Sequence, residues 1–352
     1  MSSTRGETRR CMKALVTQQH QTRIEEVPRP TLADGELLLH VTACGVCFSD
    51  IHKIRFRGLE KPVVLGHELT GRVVETGKDA LKFQVGDRVV VAHHVPCLRC
   101  HYCRRGNISM CAQFKETNLD PGGFAEFVRV PALHVENVAF RIPDTLADAE
   151  ASFMEPLGCC VRAVKRVGVQ ASDVVVLVGL GSIGLLLMQL IRHAGAECIG
   201  LDLDPARREL ADSLGITATF ASSEPAFRKF LAQVTKGRGA DAVFLTAGNP
   251  SLVAETFSWL RAGGTCLIFA SLHPESQVRL DWNELYYREI NIVCSYSASP
   301  DDLREALQLL ADGSVRVRPM TGHTFPFEKF SEALAAVESR AILKAIMTPG
   351  SS

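Results

Sequence analysis

Hydrophobic and polar positions follow two different patterns along this chain of 352 residues. From about Met12 to Leu157, short apolar stretches are separated by Gly, Pro and Asp, a pattern typical of β-strands joined by turns. Strands are expected in CMKALVTQ, ELLLHVTACG, LTGRVVETG, GDRVVVAHH and GGFAEFVRVP. The pattern predicts an all-β, barrel-like domain over residues 1–157.

The second pattern alternates apolar runs with amphipathic stretches. DVVVLVG, residues 173–179, is apolar throughout, as expected of a parallel strand buried on both faces. Helix-like and strand-like stretches then alternate in SIGLLLMQLIRHAG, ECIGLD, PARRELADSLG, FRKFLAQVTKG, DAVFLTAG, SLVAETFSWLRAGG, TCLIFAS, NELYYREI and INIVCSY. This alternation predicts an α/β domain over residues 158–294, with a doubly wound parallel sheet of six strands between helices. Residues 295–352 return to a mixed pattern and are expected to pack on the first domain.

Composition narrows the class of protein. The 39 basic and 39 acidic residues leave a formal net charge of zero, so no overall field attracts nucleic acid or an anionic membrane. The beginning, MSSTRGETRRCMK, lacks the apolar segment of a signal peptide, and no apolar run is long enough to span a bilayer. We expect a cytoplasmic protein whose first eleven residues form a flexible tail.

Four of the twelve cysteines lie close together. Cysteines of a cytoplasmic protein are mostly reduced, which favours metal binding over disulfides. The spacing C-x2-C-x2-C-x7-C suits four thiolates around one tetrahedral Zn²⁺ with no open position, hence a structural zinc. An iron–sulfur cluster is the alternative, although the fourth cysteine follows later than in the ferredoxin pattern. The predicted lobe covers about residues 93–115, with the ligands Cys97, Cys100, Cys103 and Cys111.

A glycine-rich turn follows the apolar strand at residues 173–179. G-x-G-x-x-G between a buried strand and a helix predicts that a dinucleotide pyrophosphate binds at the helix N-terminus. The predicted turn comprises Gly179, Leu180, Gly181, Ser182, Ile183 and Gly184. Asp202 ends the next predicted strand, where a carboxylate hydrogen-bonds the ribose and repels a 2′-phosphate, which favours NAD over NADP. Arg207 leaves a second interpretation open, because it is able to accept that phosphate or to cover the adenine.

Further zinc-ligand types are scattered along the chain. Cys47, His67 and Glu155 carry suitable donor groups, but they are far apart in sequence. Spacing alone leaves alternatives open: His67 as an ordinary core residue, and a Cys44–Cys47 pair completed by Cys159 and Cys160.

Several segments together carry a family resemblance. VTACGVCFSDIH, VVLGHELTG, the VGDRV turn, the four-cysteine lobe and GLGSIG occur in an order that resembles the zinc-dependent medium-chain dehydrogenases over nearly the whole chain. MEPLGCC places Glu155 where the alcohol dehydrogenases of this family have a cysteine, so the sequence is more similar to the sorbitol (polyol) and threonine dehydrogenase branch. The resemblance implies a GroES-like catalytic domain, a Rossmann domain, and a homodimer or homotetramer.

The resemblance also implies roles for individual residues. Cys47 and His67 are implied as direct ligands of a catalytic zinc, while Glu68 and Glu155 ligate directly or through water. Asp50 is implied to orient His67 through its other ring nitrogen.

A proton relay is implied as well, through the hydroxyl of Ser49 and then His52. The nearby cations Lys53, Arg55 and Arg57 are expected to lie on a solvated loop, with binding of an anionic substrate group as the alternative.

The expected function is hydride transfer between NAD(H) and a secondary alcohol or ketone, with a polyol or sugar alcohol as leading substrate. The alternatives are a phosphorylated sugar alcohol, a 3-hydroxy amino acid such as threonine, and, from a different class, a non-catalytic NAD-binding scaffold.

Overall fold

The computed structural model describes residues 11–221, 225–273 and 275–350. The predicted flexible tail lies outside this part of the chain, except for Cys11, which begins the first strand. The structure divides into two compact units. The first unit contains the chain up to Glu155, together with Ser299–Ala311 and the residues from Val317 onward, and the second unit contains Pro156–Ala298 and Asp312–Arg316.

Short strands dominate the chain up to residue 151. Its strands and helices are β1 (Cys11–Gln18), β2 (Gln21–Pro28), β3 (Leu37–Gly45), α1 (Phe48–His52), β4 (Val63–Val64), β5 (Glu68–Thr76), β6 (Arg88–Val91), α2 (His101–Arg104), α3 (Ala112–Glu116), β7 (Phe127–Val130), α4 (Ala132–Asn137), β8 (Ala139–Arg141) and α5 (Asp148–Ala151). A one-turn π-helix, Lys53–Arg57, continues α1.

The remaining elements alternate between helix and strand before a final mixed segment. They are α6 (Met154–Val167), β9 (Val174–Val178), α7 (Ser182–His193), β10 (Glu197–Leu201), α8 (Pro205–Ser213), β11 (Ala218–Phe220), α9 (Pro225–Val234), β12 (Ala240–Leu245), α10 (Pro250–Thr256), β13 (Leu260–Ile268), α11 (Trp282–Tyr287), β14 (Asn291–Cys294), α12 (Pro300–Ala311), β15 (Thr324–Pro326), α13 (Phe330–Glu338) and β16 (Ile346–Thr348). Across the described ranges, no helix has the length and apolar character needed to cross a bilayer.

The first unit is built around β3. A sheet of seven strands has the order β15-β16-β3-β5-β6-β8, and β7 also pairs with β3. Leu37, Leu38 and Leu39 on β3 are completely buried, so both faces of this strand are covered. A separate antiparallel sheet has the order β2-β1-β4. The register of β3 against β5 positions the site described below.

The second unit contains a parallel sheet of six strands. Its order is β11-β10-β9-β12-β13-β14, and every neighbouring pair is parallel. The strand order reverses between β9 and β12, and in such sheets ligands bind beyond the carboxyl ends of the strands at this point. The predicted α/β class with a doubly wound sheet is confirmed. Strand β11 has only three residues and carries no signal strong enough to locate it in the sequence.

The helix predicted over SLVAETFSWLRAGG is wrong at its C-terminal end. Helix α10 ends at Thr256, and the chain already forms β13 from Leu260. Strand β13 is bulged: Ala240 opposes Leu260 while Ala242 opposes Thr265, so extra residues are accommodated on one side. Gly263 adopts φ +71°, which only glycine tolerates easily. Gly263 and the neighbouring Gly264 therefore belong to a β-bulge and do not end a helix.

Candidate metal centres and cofactor site

Strand pairing brings three predicted ligands together in the first unit. Gly45 at the end of β3 lies opposite Glu68 at the beginning of β5. Cys47 follows β3 by two residues and His67 directly precedes β5, so antiparallel pairing places them side by side. One donor atom from each of Cys47, His67 and Glu68 lies within 4.8 Å of the others. The register of β3 against β5 therefore brings together residues that are too far apart in sequence for spacing alone to indicate a shared metal site.

Asp50 fixes the geometry of two of these residues. Its side chain is completely buried, and its Oδ2 accepts a hydrogen bond from the Cys47 backbone N–H at 3.1 Å. Its Oδ1 lies 3.3 Å from His67 Nδ1. Because Nδ1 faces Asp50, Nε2 is the ring nitrogen left for a metal, as second-sphere carboxylates usually arrange.

Burial alone raises the pKa of Asp50, but His67, Lys53 and the Cys47 amide together hold that pKa below its usual value. The carboxylate is therefore charged when it faces the imidazole.

Glu68 is shared between this group and a buried lysine. Lys344, from the segment that leads into β16, forms an ion pair with Glu68 Oε2, and both side chains are almost completely buried. Gly45 leaves room for this pair, since a Cβ there would overlap Glu68 Oε2 and the Lys344 side chain. No sequence signal distinguished Lys344, which enters the site only through strand pairing.

The charge around these residues favours a cation. Burial lowers the pKa of His67, but Asp50 and Cys47 outweigh burial and raise the pKa well above 6.5. The same acidic surroundings that favour a proton on His67 would favour a divalent cation more strongly. A thiolate, an imidazole and a carboxylate are donors that zinc accepts in sites with an open position. The residues fit a catalytic zinc ion.

Glu155 and three cysteines are the other predicted residues of this region. Glu155 is buried in the first turn of α6, but among the described residues the group of mutually close donor atoms comprises Cys47, His67 and Glu68 without it. Burial lowers the pKa of Lys344, and the charge of Glu155 is among the causes that raise it. Cys44 and Cys160 are buried and Cys159 is half-buried.

The predicted relay residues lie on α1. Ser49 is exposed and His52 is half-buried, with its ring centroid 5.2 Å from that of Phe56. The two positions are three residues apart, which places them on one face of the helix.

A row of rings that was not predicted from the sequence joins His67 to the four-cysteine lobe. Ring centroids are 4.6 Å apart for His67 and His93, 3.9 Å for His93 and His94, and 4.7 Å for His94 and Phe114. Burial lowers the pKa of His93 well below 6.5 and that of His94 to about 4, so both rings are neutral. The doubled histidine that precedes Val95 and Pro96 was the available signal, but it lies at the end of the strand expected in GDRVVVAHH, and β6 ends at Val91.

The four cysteines of the lobe have the spacing of a single-ion site. One Sγ from each of Cys97, Cys100, Cys103 and Cys111 lies within 4.8 Å of the others. Cys100 and Cys103 Sγ atoms are 3.5 Å apart, and Cys97 and Cys103 Sγ atoms are 4.0 Å apart. Tetrahedral zinc with bonds of about 2.3 Å places its sulfurs about 3.8 Å apart. These separations favour one zinc over a cluster in which the thiolates bind different irons.

Backbone amides prepare this lobe for thiolates. The N–H groups of Arg99 and Cys100 lower the pKa of Cys97 to about 6, while burial and neighbouring thiols raise that of Cys103 to about 12. The thiols of Cys97 and Cys103 therefore differ in their readiness to ionise, and a bound cation would favour the thiolate of both, as in a metal-dependent lobe.

The predicted dinucleotide turn connects β9 to α7 in the second unit. Gly179 has φ +95°, and a Cβ there would lie 2.7 Å from Thr246 Oγ1. A Cβ on Gly184 would overlap the carbonyl oxygen of Gly179. Two of the glycines are thus required by close packing of the turn, as the motif predicts.

The same turn offers a place for a phosphate. A Cβ on Gly181 would have only Arg207 Nη1, at 3.8 Å, nearby, so the backbone is open at this position. Ser182 Oγ is buried and makes no hydrogen bond to the described residues. It stands at the N-terminus of the twelve-residue helix α7, where N–H groups and the helix dipole favour an anion. An unpaired hydroxyl at such a position fits a bound pyrophosphate.

Asp202 is held beside this turn. Its Oδ2 accepts a hydrogen bond from the Leu180 N–H at 2.8 Å, and its Oδ1 accepts one from the Asp204 N–H at 2.9 Å. Arg207 lies between two carboxylates, with Nη1 3.8 Å from Asp202 Oδ2 and Nε 3.5 Å from Asp204 Oδ2. Arg208 donates to the carbonyl oxygens of Asp202 and Leu203. Both arginines of this edge already face oxygen acceptors.

Comparison with known proteins identifies the family of the chain. Residues 33–144 match the family model of the alcohol dehydrogenase GroES-like domain, and residues 182–312 match that of the zinc-binding dehydrogenases. A sorbitol dehydrogenase of Halalkalibacterium halodurans is 31% identical over 350 residues, which covers 96% of this chain and 99% of that protein. The chain belongs to the zinc-dependent medium-chain dehydrogenase family. The assignment made from its motifs is confirmed.

Two further members of the family bear on the chemistry. A D-arabitol-phosphate dehydrogenase of Enterococcus avium is 32% identical, covering 88% of each chain. A crystal structure from Sinorhizobium meliloti, described as a zinc-binding dehydrogenase bound to NADP, is 30% identical with a TM-score of 0.85, covering 96% of this chain and 99% of that one. The chain is a dehydrogenase that uses zinc and a nicotinamide cofactor.

The four-cysteine lobe generates a prediction about metal content. We expect Cys100→Ser to reduce bound zinc from two ions to one per chain and to lower the melting temperature by on the order of 10 °C, because a structural zinc contributes directly to folding. Metal analysis by mass spectrometry and thermal unfolding measure both effects. Cys294→Ser, at an exposed cysteine outside both groups, is the control and should retain two zinc ions. Two zinc ions in Cys100→Ser would contradict the assignment.

Proposed function

We propose that this protein oxidises a secondary alcohol of a polyol with NAD⁺ and reduces the corresponding ketone in the reverse direction. The observation that carries the proposal is the close group of Cys47, His67 and Glu68, oriented by the buried Asp50. A non-catalytic NAD-binding scaffold has no need to keep this arrangement.

The proposed zinc ligands are Cys47 and His67, with Glu68 and Glu155 binding directly or through water. Bound zinc supplies Lewis acidity that lowers the pKa of a substrate hydroxyl. Asp50 keeps the imidazole of His67 in one orientation through Nδ1. Lys344 holds the Glu68 carboxylate at one side of the group, so this carboxylate is positioned before substrate arrives.

The proposed proton path begins at Ser49. Its hydroxyl takes the proton that the substrate alcohol loses, and His52, on the same face of α1, passes the proton on. Support comes from their spacing and from the exposure of Ser49, which gives a proton a route to solvent.

NAD is the proposed cofactor, and when bound it would supply the acceptor for the hydride of the alcohol carbon. The turn of Gly179, Leu180, Gly181, Ser182, Ile183 and Gly184 is the proposed pyrophosphate site. Asp202 is proposed to hold the adenosine ribose. A 2′-phosphate at this edge would meet the carboxylates of Asp202 and Asp204, and Arg207, which lies between them, has its charge compensated. The proposal therefore favours NAD, although a structural relative binds NADP.

The names of the relatives indicate which classes of substrate to test. A sorbitol dehydrogenase and a D-arabitol-phosphate dehydrogenase are similarly close in sequence, at 31% and 32% identity. Both names denote a polyol, and only the second denotes a polyol that carries a phosphate. On the names of the relatives alone, a neutral polyol is the first candidate substrate, a phosphorylated polyol the second and a 3-hydroxy amino acid the third.

We also propose a homo-oligomer, a dimer or tetramer, assembled through the edge of the parallel sheet. Edge strand β14 exposes Ile292, and nearby Trp282, Tyr286, Tyr287 and Tyr296 are between 66% and 81% exposed. A bare strand edge next to apolar side chains is suited to pairing with a second copy. A cytoplasmic location is proposed because a four-thiolate zinc site requires reduced cysteines.

The central test is turnover of zinc-loaded protein with NAD⁺, followed by NADH absorbance. Sorbitol and other polyols, their phosphates, threonine and simple secondary alcohols form the panel. We expect oxidation of polyols, and a decrease in kcat of about 100-fold in Ser49→Ala, because a positioned proton acceptor contributes about 10²- to 10⁴-fold. Ser49→Thr, which keeps the hydroxyl, should restore most of the rate. No turnover of any alcohol by protein that holds two zinc ions would refute the proposal.

The cofactor assignment predicts the effect of Asp202→Asn. Removing the charge while keeping a hydrogen-bond acceptor should shift the ratio of kcat/KM for NAD⁺ over NADP⁺ toward NADP⁺ by about tenfold, equivalent to about 1.4 kcal/mol. Asp212→Asn, at an exposed carboxylate on helix α8, should leave the ratio unchanged. A wild-type preference for NADP⁺ would contradict the proposed role.

The interface predicts that Ile292→Lys weakens assembly. A lysine on the strand edge should disfavour edge-to-edge pairing, and sedimentation velocity should show smaller species than the wild type. A wild-type monomer at micromolar concentration would rule the interface out.

A further inference from the structure

Three cations follow the proposed relay residues, and the structure separates their roles. The segment is not the solvated loop expected from the sequence but a π-helix, Lys53–Arg57, which continues α1. Short π-helical turns are rare and occur often at functional sites.

Other parts of the first unit hold this turn in place. His20 Nδ1 donates a hydrogen bond to the Ile54 carbonyl oxygen at 2.8 Å. Gly58 ends the turn with φ +51°, and a Cβ there would lie 2.9 Å from His20 Nε2. The side chains of the turn are therefore presented from a fixed backbone.

Arg55 is engaged by another residue, and Arg57 is exposed to solvent. Arg55 forms a two-point ion pair with Glu338 on α13, with both nitrogen–oxygen distances at 2.7 Å. This pair fixes the turn to α13 and occupies the guanidinium. Arg57 is exposed at the end of the turn.

Lys53 differs from both arginines. Lys53 lies three residues after Asp50 on continuous helical backbone, so the two residues share one face of the helix. Asp50 contacts His67 from this face. The Lys53 side chain is half-buried and makes no hydrogen bond or ion pair with any residue that the structure describes.

The ammonium of Lys53 is also close to the row of neutral rings. Burial has the largest effect on the pKa values of Asp50, His93 and His94, and the charge of Lys53 contributes to lowering each of them. Of these three neighbours only Asp50 carries a charge, and its carboxylate is already engaged by Cys47 and His67. Lys53 thus presents a cation beside the metal group, facing uncharged imidazoles.

We propose that Lys53 binds an anionic group of the substrate, and that the substrate is a polyol carrying a phosphate monoester. The inference rests on the proposed function and specifies its substrate class. The alcohol carbon is held at the Cys47, His67 and Glu68 group, while the phosphate lies against the Lys53 ammonium. A lysine binds phosphate as a point charge, and partial burial strengthens that attraction relative to an exposed cation.

The test compares substrates that differ only in the phosphate: D-arabitol with its phosphate monoester, and sorbitol with its own. We expect wild type to prefer the phosphates. Lys53→Met should lower kcat/KM for the phosphates about 10- to 100-fold, chiefly through KM, and change kcat/KM for the neutral polyols less than about twofold. Lys53→Arg should keep most of the preference, and Arg57→Met, which removes a neighbouring exposed cation, should keep all of it.

Two results would overturn the inference while leaving the proposed function intact. One is a wild type whose kcat/KM is the same for neutral polyols and for their phosphates. The other is an equal loss for both substrates in Lys53→Met, as expected if the lysine only compensates the charge of Asp50.

A binding measurement separates this inference from failure of the proposed function. If no alcohol is oxidised, the proposed function fails, and ³¹P NMR of inorganic phosphate with the full-length protein decides the role of Lys53. Line broadening with wild type and Arg57→Met, but not with Lys53→Met, supports an anion site. Equal broadening in all three variants, or none with wild type, overturns it.

Discussion

The candidate catalytic site depends on one buried carboxylate. Asp50 accepts the backbone N–H of Cys47 with one oxygen and faces the ring of His67 with the other. A carboxylate removed from water is stable only when its charge and both oxygens are compensated, so the two residues it contacts are held in a narrow range of positions. The same group therefore fixes where α1 begins and which nitrogen of His67 is free.

Strand register makes this interaction possible. Because Gly45 on β3 opposes Glu68 on β5, the residues just beyond these strand ends meet across the sheet. Strand β16 adds the third side, since Ile346 also opposes Gly45 and thereby brings Lys344 to Glu68. Gly45 has to be small for the ion pair to fit. Three distant segments thus converge on one glycine at the end of a strand.

The cofactor site is organised differently. Its glycines, the N-terminus of α7 and the orphan hydroxyl of Ser182 all lie within a few residues of one another. The chain creates this anion-binding turn locally, and the parallel sheet supplies Asp202 from the adjacent strand. Arg207 lies between the carboxylates of Asp202 and Asp204, and this pairing is the physical basis for the proposed preference for a ribose without a 2′-phosphate.

Motif order along the chain was sufficient to identify the family, and the comparisons confirm that assignment. The ligand and relay roles of individual residues stay predictions. The resemblance proposed Glu155 together with Cys47 and His67, and the structure buries Glu155 without placing it in their group. It also draws His93 into the site, although its position suggested only a strand.

The sequence by itself determined the features that arise from neighbouring residues. The four-cysteine spacing, the glycine turn and the alternation of strands and helices depend on backbone geometry and periodicity over short stretches. Each is therefore predicted from the sequence. Only the tertiary structure decided the pairing of Lys344 with Glu68, of Arg55 with Glu338, and the isolation of Lys53. The reason is that a charge acquires its partner through strand register and helix packing across hundreds of residues, and local sequence carries no record of that register.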